Sequence, residues 1–110
     1  MERKINILYL RPGDKPREFY VSNDYKTFKA LLDDGYIESV TIPELNCVLL
    51  LDEDGKRKEL PPNNHAQLYF GPYLNRDDWI VGPVIVTGPI DGDFELTSLK
   101  PLTPIEEEDE

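Results

Sequence analysis

Apolar positions along the first half of the chain change their period, and each change marks an element. Lys4 to Leu10 is apolar and rich in β-formers, Arg11, Pro12, Gly13, Asp14, Lys15 and Pro16 form a dense cluster of turn residues, and Arg17 to Val21 resumes extended character. These runs predict a β-hairpin with a long tip. Ser22 or Asn23 then offers a side-chain acceptor to the free amides of a helix start, and Asp24 complements its positive end. Tyr25, Phe28, Leu31 and Leu32 recur at spacings of three and four, Lys26 and Lys29 lie off that stripe, and Asp34 with Gly35 supplies a left-handed stop. The spacing predicts one main helix over about residues 24–34.

Tyr36 to Ile42 carries Ile37, Val40, Thr41 and Ile42 and predicts a strand ended by Pro43, Glu44, Leu45 and Asn46. Cys47 to Leu51 is unbroken apolar sequence, which predicts an interior strand with both faces covered. Asp52, Glu53, Asp54 and Gly55 read as a tight turn with Gly55 at positive φ, after which Lys56 to Leu60 reads as a more exposed strand. Leu60, Pro61, Pro62, Asn63 and Asn64 make the sharpest break, because two prolines oppose regular pairing. His65 to Phe70 fits either a helical turn or a short extended piece, and Gly71 to Asp78 reads as a surface loop. Val84, Ile85 and Val86, within Trp79 to Thr87, predict a second core strand. Gly88, Pro89 and Asp91 to Asp93 bracket a turn, and Phe94 to Leu96 adds a short edge strand. The expected fold is α+β, a single two-layer domain over residues 1–100 with a β-grasp-like mixed sheet and one main helix. Pro101, Pro104 and the acids after them predict a poorly ordered acidic tail at 101–110.

Charge narrows the partners. The 110 residues hold 22 acids against 12 bases, a formal charge of −10. Glu106, Glu107, Glu108, Asp109 and Glu110 account for half of that excess, leaving an ordinary body with scattered bases. Phosphate recognition wants a clustered positive surface, so direct binding of nucleic acid is disfavoured. Cys47 is the single cysteine and cannot form an internal disulfide, which fits a reducing compartment. Behind Met1, Glu2, Arg3 and Lys4 there is no signal-peptide apolar stretch, and no apolar run approaches the roughly 20 residues that cross a bilayer. A cytoplasmic protein with no membrane partner is expected.

Three blocks occur in a characteristic order: Gly35, Tyr36, Ile37, Glu38; then Leu60, Pro61, Pro62, Asn63; then Gly82, Pro83, Val84, Ile85, Val86, Thr87, Gly88. Together, over about residues 4 to 99, they resemble a family of small proteins of unknown function encoded by bacteriophages, plasmids and their bacterial hosts. In that family the proline–asparagine block is usually followed soon by the glycine-flanked strand, whereas here Gln67 to Asp78 makes the connection longer and more aromatic. The resemblance carries over no catalytic residues. It implies the cytoplasm of a bacterium and a gene product acting on host machinery.

Candidate chemistry is sparse. His65, the only histidine, has Asn63, Asn64 and Tyr69 nearby for a general-base role, but no nucleophile elbow and no second histidine or paired cysteine accompanies it. Asp52, Asp54 and Gly55 resemble the start of a calcium loop, yet its twelfth position is Asn63 rather than glutamate, so this acidic pair and Asp91 with Asp93 read as hairpin turns. Phosphate-cradling glycine loops are missing. No cofactor and no metal are expected. The aromatic cluster Tyr69, Phe70, Tyr73 and Trp79, with Arg76, has the composition of an interface anchor and is the candidate partner-binding set. Asp33, Asp34, Glu38, Asp52, Glu53 and Asp54 would add to a nucleic-acid mimic if they shared a face. The leading expectation is a non-enzymatic interaction protein that binds and modulates a host protein, with defence machinery as a target class. The alternatives are a small-molecule domain with a pocket near Pro61, Pro62 and Asn63 closed by oligomerisation, a nucleic-acid mimic, and last an enzyme using His65. Homo-oligomerisation is left open.

Overall fold

A computed structural model describes residues 4–74, 79–93 and 95–100. The predicted hairpin forms from β1 (Lys4–Leu10) and β2 (Arg17–Ser22), paired antiparallel from Lys4 opposite Ser22 to Tyr9 opposite Arg17. Helix α1 (Tyr25–Leu31) is capped by Asp24, whose carboxylate accepts from the Thr27 amide at 2.8 Å. Ser22 and Asn23 do not cap it; the Asn23 side chain donates instead to the Leu96 carbonyl. The helix is shorter than its periodicity suggests, because Asp33 and Asp34 both turn left-handed (φ 56° and 64°). Gly35 has no positive φ. Its requirement is space, since a Cβ there would run into the Asp52 carboxylate. Tyr25 is exposed, so the buried stripe reduces to Phe28 and Leu32 with Leu31 half-buried.

Strands β3 (Ile37–Ile42) and β4 (Cys47–Asp52) form the second hairpin, joined by a 3₁₀ turn at Pro43–Leu45 and left-handed Asn46. The strand expected over Lys56–Leu60 is a run of turns. The physical cause is Asp52, almost fully buried at the end of β4, whose carboxylate accepts from the Asp54 amide at 2.8 Å and from Lys58 Nζ at 2.7 Å. The chain winds round that charge instead of returning along the sheet, and Glu59, not Gly55, takes the positive φ. Of the two conformations that fit His65–Phe70, the helical one forms: α2 (Asn64–Phe70), followed by a 3₁₀ turn at Gly71–Tyr73. β5 (Val84–Thr87) is buried at every residue.

The five strands make one sheet in the order β2-β1-β5-β4-β3, and every pairing is antiparallel, so the mixed sheet expected from sequence does not form. β1, β4 and β5 are apolar on both faces, and each face therefore needs a cover. On one side Ile5, Ile7, Tyr9, Val48, Leu50 and Ile85 pack with Phe28 of α1 and with Leu32, the residue that ends it. Opposite them Leu8, Leu10, Leu49, Leu51, Val84 and Val86 pack with Ala66 and Phe70 of α2. One helix on one face thus becomes one helix on each. The chain is a single α+β domain. Its last described segment runs back over the sheet, with Gly88 N donating to Thr97 O and Leu99 N to Asn6 O, and the edge strand expected at Phe94–Leu96 is reduced to an isolated bridge between Ile90 and Leu96. Phe94, Arg76 and the tail at 101–110 lie outside the described residues.

Candidate functional site

Two of the three sequence blocks, Leu60–Asn63 and the one that begins at Gly82, meet in space, and what they build is a frame. Asn63 is completely buried, its Nδ2 donating to Leu10 O at 3.0 Å and Gly82 O at 2.7 Å while its Oδ1 accepts from the Ala66 amide at 3.1 Å. One side chain thereby ties the end of β1, the approach to β5 and the start of α2. Backbone bonds reinforce it: Asn63 N to Ile80 O, Gly82 N to Pro61 O, and a bridge from Pro62 to Val81. Gly82 sits at φ 77°, with Leu60 against the place a Cβ would occupy. At the far end Glu53 N donates to Tyr36 O beside the contact of Gly35 with Asp52. Asn63 has no donor left for a ligand.

Above this frame stands α2. Asn64, Gln67, Leu68 and Gly71 follow the spacing i, i+3, i+4, i+7, which places them on one helix face. With Pro72 and Trp79 they line an open hollow of about 670 Å³. The segment carrying Trp79 is held there by Gln67, whose Oε1 accepts from the Ile80 amide at 2.9 Å. Leu68 is 73% exposed, Trp79 50% and Tyr73 44%. Of the residues expected to bind a partner, Tyr69, Tyr73 and Trp79 are thus at the surface. Phe70 is not: only 6% exposed, it points into the sheet with Ala66, because residues four apart share the buried face of α2. Leu68 was not legible as a surface anchor while residues 65–70 fitted strand and helix equally, since a strand would put it on the same face as Phe70. Once the segment is helical, an apolar residue two positions from both Ala66 and Phe70 must face away from the sheet.

The other flank of α2 overlooks a second hollow, of about 450 Å³, between the helix and the open part of the sheet. Tyr69 and Phe70 form one wall, Leu8, Val86 and Cys47 the floor, and Leu45, Pro16 and Leu99 the rim. Burial pushes the Cys47 thiol above its ordinary pKa, so it is held as the neutral thiol.

The remaining candidates lie outside the linings of these two hollows. His65 is half-buried and stacks obliquely on Tyr69, ring centroids 5.9 Å apart, with no hydrogen bond or ion pair among the described residues. The acids weighed for mimicry are partly neutralised: Asp33 pairs with Arg11 at 3.2 Å, Asp54 with Arg57 at 3.1 Å and Asp52 with Lys58 at 2.7 Å. Asp91 closes a turn, and the amides of Glu95 and Asp93 that it accepts hold its carboxyl below the usual range. Among the described residues no three His, Cys, Asp or Glu side chains gather as a metal site, and no helix is long and apolar enough to cross a membrane.

No curated protein and no solved structure matches the chain. A family profile does, over residues 5–108, which take in every element of the fold from β1 to the last described segment, and the chain belongs to that family, described as a domain of unknown function, DUF3846.

Proposed function

We propose that the chain is a non-enzymatic interaction protein that binds and modulates a host protein in the bacterial cytoplasm, with the contact made by the outer face of α2 and the adjoining Trp79. The observation that carries this reading is the exposure of Leu68 and Trp79 around an open apolar hollow, with Tyr73 exposed on the same short excursion of the chain. Large apolar side chains held on a rigid support are the usual anchors of protein interfaces, because they remove much area from water at little cost in rotamer entropy. The phage or plasmid setting comes from the sequence resemblance, and defence machinery is the target class it suggests. Tagged protein is to be used as bait in bacterial lysate at low and high salt, beside a Trp79→Ala/Tyr73→Ala variant whose melting temperature confirms folding. A stoichiometric partner that survives high salt and is lost with the double variant is the expected result. Equal capture by both proteins rules out this surface.

A further inference from the structure

The hollow on the inner flank of α2 shares no lining residue with the outer groove and calls for a different occupant. Its floor is sheet and its wall is helix, with the rim closed by the Pro43–Leu45 turn, the tip of the first hairpin and Leu99, so five parts of one chain converge on it. At about 450 Å³ it falls within the range of small-molecule sites, roughly 300–1,000 Å³. None of its lining side chains carries a charge at neutral pH, and Tyr69 Oη and Cys47 Sγ are their only polar atoms.

That wall chemistry selects the ligand. A peptide inserted there would bring amides and carbonyls that need partners, and an ion would lose its water, each at a cost the walls do not offset. A second copy of the chain needs about 800 Å² of surface per partner, of which a concavity of this size supplies a small fraction. A neutral apolar molecule loses nothing and gains by leaving water. We infer that this cavity, floored by Leu8, Val86 and Cys47 and walled by Tyr69 and Phe70, is a binding site for a small uncharged apolar ligand such as an aromatic or short acyl compound.

The full chain is to be titrated with N-phenyl-1-naphthylamine, a neutral fluorophore that brightens in apolar surroundings. Saturable binding at one site per chain is expected. Leu45→Asp, a change on the half-exposed rim that leaves the sheet untouched, is expected to weaken it at least about tenfold by placing a carboxylate at the mouth. Leu68→Asp, in the outer groove, should leave it unchanged. Bound probe should also slow the addition of the Cys47 thiol across the double bond of N-phenylmaleimide, followed by mass. Non-saturable fluorescence, or affinity indifferent to Leu45→Asp, overturns the inference. So does binding seen only after truncation at Lys100, which would give the cavity to residues 101–110, or binding that falls as the sedimenting mass doubles, which would give it to a second copy. The partner reading is tested at Trp79 and Tyr73, so either proposal fails independently of the other.

Discussion

Asn63→Ala is the sharpest perturbation the fold offers. The substitution deletes three hydrogen bonds at a site with no solvent exposure and leaves Leu10 O, Gly82 O and the Ala66 amide facing the void. A buried hydrogen bond contributes about 1 kcal/mol net, and a partner left unsatisfied costs about 1–3 kcal/mol. Loss of the cap adds about 1 kcal/mol at the start of α2. Allowing for relaxation and for Gly82 O and Leu10 O sharing one lost amide, the total is about 3–5 kcal/mol, a large part of the stability of a domain this size. At about 4 °C per kcal/mol, the melting temperature should fall by about 12–20 °C. Circular dichroism melts of the two proteins measure it, with urea midpoints as a second scale. Asn63→Asp sharpens the logic, because a carboxylate keeps the cap acceptor but puts a charge where two carbonyls expect a donor. Burial raises that carboxyl's folded pKa above the unfolded value of about 3.9, so the variant's stability should fall as pH rises from there. A shift below about 3 °C for Asn63→Ala would refute the claim that this side chain clips the sheet to α2.

Gly82→Ala forces a side chain into the left-handed region and against Leu60, and should cost about 1–3 kcal/mol in urea denaturation. Lys58→Ala strips the buried Asp52 carboxylate of its cation and should loosen the 53–59 turns; with Lys58 itself partly exposed the loss should be about 1–2 kcal/mol, read in the same assay, with faster amide exchange confined to those turns. Asp24 has its carboxyl pKa lowered by the hydrogen bond from Thr27, so the cap's contribution is present above the unfolded value of about 3.9 and lost as pH falls through the folded one. Asp24→Asn keeps the cap, and its urea midpoint should fall less than the parent's between pH 5 and pH 2; equal slopes would remove Asp24 from the acid response.

Where one physical cause acted alone, the sequence was a sufficient guide. The first hairpin, β4 and β5 were legible because an apolar run between turn residues has few other uses, and β4 lies inside the sheet as its unbroken run requires. Misreadings arose where a distant residue decided a local conformation. Lys56–Leu60 follows a turn signal and so reads as an exposed returning strand, but nothing local reveals that Asp52 will be buried and will draw Lys58 back to it. Gly35 and Gly55 look like residues chosen for positive φ; both are small because something packs on them, Asp52 in one case and Val81 in the other. The site divides in the same way. Tyr73 and Trp79 could be picked out as exposed aromatics in a turn-rich stretch, whereas burying Phe70 and exposing Leu68 required knowing that α2 is a helix and which face meets the sheet. Neither hollow was visible, because each is assembled from residues far apart in the chain.

The blocks that define the sequence are also the reason the proposed partner surface lies elsewhere. Asn63, Pro61, Pro62 and Gly82 spend their hydrogen-bonding groups and shapes on one another, so a change in any of them moves the sheet. Between Asn63 and Ile80 the situation reverses. That excursion leaves and rejoins the frame where Asn63 N bonds Ile80 O, and inside it Ala66, Phe70, Leu74 and the Gln67 side chain supply attachment. Leu68, Tyr73 and Trp79 contribute little to holding it down, and their exposure is costly in water unless something covers them. A surface clipped at its base and free at its crest can change its side chains without disturbing β1 or β5. In the proposed reading, this separation of frame from crest gives partner recognition to the outer face of α2, while the inner flank, floored by the sheet itself, keeps a cavity whose shape the frame fixes.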